Sequence, residues 1–128
     1  MANEIKLTTQ LAYENGQLKD TYNPGTVQLP QATQGMLNQT VTINTSASET
    51  ISVAALGTPG LTVMQSMEAT TTGNYLTYGM ATSTGGVQLN NKLPPKSIAI
   101  LHYASSTASL RAKANTAAVN LQIRVYEA

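Results

Sequence analysis

His102 is the single histidine in a chain of 128 residues that contains no cysteine. An imidazole becomes a general base or a metal ligand only beside suitable partners, and here those would have to be carboxylates. The acids are Glu4, Glu14, Asp20, Glu49, Glu68 and Glu127, and no two of them stand at ligand spacing. The members of a Ser–His–Asp arrangement can lie far apart in sequence, but no G-x-S-x-G elbow presents a nucleophile. The stretch "STGGVQ", residues 83–88, has two glycines but lacks the spacing and the lysine of a phosphate loop. It reads as a hairpin turn. His102 reads as a strand histidine, and the expectation is no enzyme, no catalytic residue, no metal and no cofactor.

Surface chemistry is what remains. The aromatics are Tyr13, Tyr22, Tyr75, Tyr78, Tyr103 and Tyr126, with neither Trp nor Phe. Tyrosine joins an apolar ring to a polar tip, which suits half-buried positions and interfaces. The end of the chain, "AVNLQIRVYEA", sharpens this. Val119, Leu121, Ile123 and Val125 alternate with Asn120, Gln122, Arg124 and Tyr126. Such alternation describes a strand with one dry face and one wet face. A terminal strand stays ordered only when it is paired in a sheet. Arg124, Tyr126, Asn120 and Gln122 are therefore the candidate interface, on the wet side of a strand anchored by the other four.

The elements that would carry this strand follow from composition and pattern. Charged residues are 10% of the chain, against a usual figure of about 25%, and the net charge is +1. That balance gives no long-range field for nucleic acid or an anionic membrane, so neither is expected as a partner. Lys92, Lys96, Arg111, Lys113 and Arg124 gather in the C-terminal third. No aromatic interleaving supports base stacking there, so they read as a solvated face. The start "MANEIKLTTQ" lacks the apolar segment of a leader peptide, and no apolar run nears the ~20 residues of a membrane helix. The chain reads as soluble and made in a cytoplasm.

Thr-rich short runs are separated by Gly, Pro, Asn and Ser, at the spacing of an all-β protein. The expectation is an antiparallel β-sandwich, jelly-roll-like, of about eight to ten short strands in one domain over residues 1–128. "EIKLTTQLAY" reads as one first strand, and Asn15-Gly16 as a hairpin turn into "QLKDTY". Residues 23–36 read as a connecting loop with an edge segment, with an extended arm to a neighbouring subunit as the alternative. "GTPG", residues 57–60, reads as a break. "SIAILHY" is apolar on both sides and reads as a central strand.

One resemblance cuts across this reading. Pro59-Gly60, the stretch Ser66 to Thr70, Asn74-Tyr75-Leu76 with Gly79, Pro94-Pro95 and the run Lys113 to Glu127 resemble small structural proteins of tailed bacteriophages. The likeness covers about residues 57–127, and its motifs mark turns and strands rather than chemistry. It implies a virion protein of the capsid cement or decoration type, a β-sandwich or jelly roll acting as a homo-oligomer, dimer or trimer. The implied partner is the major capsid protein and the implied place is the outer capsid surface, after synthesis in the host cytoplasm. The alternatives are a tail, head-fibre or receptor-binding component of a virion, and a carbohydrate-binding β-sandwich module, which the absence of Trp disfavours.

Overall fold

A computed structural model describes residues 4–31, 35–53, 56–69, 73–81, 89–103 and 109–128. The described residues form strands and connections, without helix. The chain divides into two compact units, Met1–Gln34 and Gly35–Ala128. The sandwich expected over residues 1–128 occupies the second unit, and the first is built differently.

The first unit holds four strands, β1 (Glu4–Thr8), β2 (Leu11–Asn15), β3 (Leu18–Tyr22) and β4 (Thr26–Pro30). They form two separate antiparallel ribbons, β1 with β4 and β2 with β3. The continuous first strand expected from the sequence is corrected here. It breaks at Thr9-Gln10, and its halves pair in different ribbons. The hairpin between β2 and β3 forms as expected, with a shifted turn. Asn15 pairs with Leu18, so Gly16 is the first central residue, at φ +61°. Positive φ at the first central position alone is the II′ pattern, where glycine is favoured. Within residues 23–36, Thr26–Pro30 is a strand paired with β1. Pro30 ends it, where a missing ladder donor is tolerated.

The second unit holds β5 (Met36–Ile43), β6 (Glu49–Ile51), β7 (Pro59–Ser66), β8 (Leu76–Ala81), β9 (Asn91–Leu93), β10 (Ile98–His102), β11 (Ser109–Ala114) and β12 (Val119–Glu127). They form two four-stranded sheets, ordered β10-β7-β12-β5 and β6-β11-β8-β9. Every pairing is antiparallel. The pairs β5 with β12, β6 with β11, β7 with β10 and β8 with β9 describe one long hairpin. Rolling that hairpin brings β12 beside β7 and β11 beside β8. This is jelly-roll connectivity, and it leaves two faces to pack together.

Those faces form the core. Val119, Leu121, Ile123 and Val125 of β12 join Met64 and Ile43 from one sheet to Leu110, Ala112, Ala114, Leu76, Ile51 and Leu93 from the other. Each fully buried Leu, Ile or Val contributes about 1.5–3 kcal/mol through area removed from water. The alternation read in the last strand is therefore the inner and outer parity of a sandwich strand.

Two further expectations are corrected. "SIAILHY" supplies β10, which is an end strand and not a central one. Its inner side chains Ala99 and Leu101 pack on the core, while Ile98 is 59% and Ile100 41% exposed. The "GTPG" stretch is no simple break, because Pro59 and Gly60 begin β7. A Cβ on Gly60 would stand 3.1 Å from Tyr126 O and from Ala128 N. The ladder between β12 and β7 shifts register between Val125 and Glu127, so this end of β12 crosses Gly60 at a bulge. The turn expected at residues 83–88 lies outside the described residues.

Candidate interaction surface

Directly opposed residues of an antiparallel ladder share one face of the sheet. On the outer face of β10-β7-β12-β5 this gives the row Ile100, Val63, Arg124, Asn38, and beside it Ile98, Gln65, Gln122, Thr40. The face thus changes from apolar at β10 to neutral polar across β12 and β5.

All four residues expected at an interface lie on this face, because all share the outward parity of β12. Asn120 and Arg124 are exposed, while Gln122 and Tyr126 are half-buried. The structure groups only some of them. Gln122 and Arg124 join Val63 and Gln65 around a shallow depression of about 60 Å³. Small-molecule sites run to about 300 Å³ and more, so this depression suits one projecting group of a larger partner. Asn120 is turned to its neighbour strand, and its Oδ1 accepts from Thr42 Oγ1 at 2.9 Å. Tyr126 lies at the far end, opposite Met36, which is 58% exposed. Ile98 and Ile100 were missed because "SIAILHY" read as buried on both sides.

The first unit carries a second surface. The register of the β2–β3 hairpin places Leu11 with Tyr22, Tyr13 with Asp20, and Asn15 with Leu18 on one face. Leu11, Tyr13, Leu18 and Tyr22 are 63%, 46%, 65% and 62% exposed. The other face carries Ala12, Thr21 and an ion pair in which Lys19 Nζ lies 3.0 Å from Glu14 Oε1. Both partners are two-thirds exposed, so the pair contributes at most about 1 kcal/mol. The sequence signal for this surface was the period-two pattern through Leu11 and Tyr13. Whether a second layer would cover it was not legible.

The chemistry-bearing residues stay dispersed. Among the described residues no group of three or more His, Cys, Asp or Glu could hold a metal ion. His102 is exposed on the outer side of β10. Asn74, which opens the "NYLTYG" motif, is 3% exposed and works as a clamp. Its Oδ1 accepts from Thr116 N at 3.0 Å and Thr116 Oγ1 at 2.9 Å, while Nδ2 donates to Ala117 O at 2.9 Å and Glu68 Oε2 at 3.2 Å. It fixes the connection between β11 and β12.

Among the described residues the buried Tyr103 hydroxyl has no partner in hydrogen-bonding geometry. Burial pushes this phenol above its ordinary value of 10.0, and the Leu110 backbone offsets part of the rise. No protein-family model, curated protein or solved structure matches the chain.

Proposed function

We propose that this chain is a non-enzymatic structural protein of a tailed-phage virion, a capsid cement or decoration protein. In this reading it binds the major capsid shell from outside as a homo-oligomer. The exposed apolar face of the β2–β3 hairpin is the observation that carries the reading. A two-stranded hairpin is marginal by itself in water. This one nevertheless turns Leu11, Tyr13, Leu18 and Tyr22 to solvent on a single face. Such a face gains its stability by covering a partner.

A ligand that binds only the assembled shell stabilises that shell by linkage. Low charge supports the reading, because a chain of net charge +1 meets little long-range repulsion on a crowded lattice. Jelly rolls recur in capsid and lectin domains, so connectivity alone does not choose between a virion and a carbohydrate surface.

The test uses the purified full chain with expanded capsids of the phage that encodes it. Expected are stoichiometric co-sedimentation and a raised melting temperature of the shell. The double variant Leu11→Lys, Tyr22→Lys should bind at least tenfold more weakly while its own melting is unchanged. Absence of binding by the unmodified chain sinks the cement reading. Binding to host cells or polysaccharide instead supports the fibre or carbohydrate alternatives.

A further inference from the structure

Among the described residues β10 has a neighbour on one side only. Ser66 N donates to Ser97 O and Tyr103 N donates to Gly60 O, both at 3.1 Å, at the two ends of its ladder with β7. In an antiparallel ladder the bonded residues alternate. Ala99 and Leu101, opposite Met64 and Thr62, are therefore the bonded positions between these ends. The N–H and C=O groups of Ile98, Ile100 and His102 point away from the sheet.

Proteins guard such edges with short length, charge, proline or a covering element. The other edges of this sandwich are guarded. β9 has three residues centred on Lys92 and runs into Pro94-Pro95. β6 has three residues and begins at Glu49. The β5 side is laced to the second sheet, since Gln39 Nε2 donates to Ser52 O at 3.2 Å and Ala114 N donates to Asn44 O at 3.0 Å. β10 carries no Asp, Glu, Lys, Arg or Pro, and turns Ile98 and Ile100 outward at 59% and 41% exposure.

We propose that β10 is a self-pairing edge. Two copies of this chain join β10 to β10, antiparallel about a twofold axis at Ile100, into one continuous eight-stranded sheet. A twofold axis sets the central residue of the edge opposite its own copy, so a charge at that position forbids self-pairing. Lys92 would do so in β9, and β10 has no such group. Its pattern is its own complement. Ile100 meets Ile100, Ile98 meets His102, and each of these opposed pairs exchanges two backbone hydrogen bonds. The outward isoleucines supply a β-branched cross-strand pair at the axis. The proposal names the contact behind the homo-oligomer proposed above and rests on that part of the reading; it does not depend on the capsid.

The experiment is sedimentation velocity on the full chain across a concentration series, with two variants. The unmodified chain should sediment as a dimer. Ile100→Lys should sediment as a single chain with its dissociation constant raised at least tenfold, and should melt as the unmodified chain does at dilutions where that chain is single. Ile100→Cys, in a chain with no other cysteine, should form a disulfide-linked dimer under mild oxidation. Ile98→Cys alone should not, because its expected neighbour is His102.

A single-chain mass for the unmodified protein at every concentration overturns both this contact and the homo-oligomer. A dimer that persists in Ile100→Lys, with no cross-link through Ile100→Cys, overturns the β10 contact and leaves the oligomer to another surface. If Ile100→Lys does not fold, the cysteine variants decide. Failure to bind capsids, with the dimer intact, removes the cement reading and leaves this one standing.

Discussion

β12 and β2 are written in similar code and meet opposite fates. Along β12 every second side chain is apolar, and Val119, Leu121, Ile123 and Val125 are each at most 1% exposed. Along β2, Leu11 and Tyr13 also recur with period two, yet all five residues are exposed. Alternation therefore specifies that a strand has an apolar face. Whether that face is buried depends on a second layer, which is a property of the whole fold. The sandwich supplies that layer from within the chain. The hairpin does not, and for that reason its face is read as a contact surface.

The largest expected effect breaks this contrast directly. Ile123→Ala removes a side chain that is 0% exposed from between two sheets, and should cost about 2–5 kcal/mol in urea unfolding. Leu18→Ala, at a residue 65% exposed, should stay within about 0.5 kcal/mol. A cost above ~1 kcal/mol at Leu18 would show that the hairpin face is packed in solution, and the contrast would fall.

Asn74→Ala should come next, at about 1–3 kcal/mol, because it removes several part-buried hydrogen bonds at once. Thr116 N and Ala117 O lose their side-chain partner together. Thermal melting decides the point. A loss under ~1 kcal/mol would mean that the connection between β11 and β12 is held by its ladders alone. The same substitution should leave the first unit untouched, since Thr116, Ala117 and Glu68, which bond Asn74, belong to the second.

Local features were the legible ones. The Asn15-Gly16 signal marked a real hairpin, and the parity of β12 correctly separated Ile123 from Arg124. What escaped the sequence was long-range. The break at Thr9-Gln10 depends on which ribbon each half joins, and no local residue type announces it. The edge position of β10 was hidden because an apolar residue on both faces has two meanings. It fits a strand buried between layers, and equally an end strand awaiting a partner. Gly60 read as part of a break because glycine often makes one, whereas here it lies in the bulge at the start of β7 and makes room for the end of β12. Of the surface, the β12 side was visible and the apolar strip at Ile98 and Ile100 was not, for that same reason of edge against centre.

Tyr103→Phe should produce a smaller effect of opposite sign. The substitution keeps the ring and removes a buried hydroxyl that has no hydrogen-bond partner among the described residues, so stability should rise by about 1 kcal/mol. The pH dependence follows from the direction of the shift. The folded protein holds the phenolic proton above the ordinary value of 10.0, chiefly through burial. The unfolded chain then binds fewer protons than the folded one at alkaline pH, and stability falls as pH rises. The contribution is complete below pH 10 and is lost as pH climbs through the folded value. Unfolding curves at pH 7 and above pH 10 should therefore converge in Tyr103→Phe relative to the unmodified chain. Equal alkaline losses in both proteins would place the sensitive group elsewhere.

The smallest expected effect lies at Lys96, the one non-glycine residue at positive φ among those described, at +58°. It follows Pro95 in a turn closed by Ser97 N donating to Pro94 O at 3.1 Å. Pro at the second position and positive φ at the third are the marks of a type II turn, whose third position favours glycine. Lys96→Gly relieves a strain of about 1 kcal/mol, but it also frees the unfolded chain by ~0.5–1 kcal/mol. The net change should be stabilising and under ~1 kcal/mol, read as a small rise in the melting temperature of the sandwich. Destabilisation beyond that range would mean that the lysine side chain holds the turn. Because the turn sets where β9 ends and β10 begins, the variant also sharpens the contrast between the two regions. A turn that only closes the sandwich leaves dimer formation and hairpin binding unchanged, whereas a shift in dimer affinity would tie the register of β10 to Lys96.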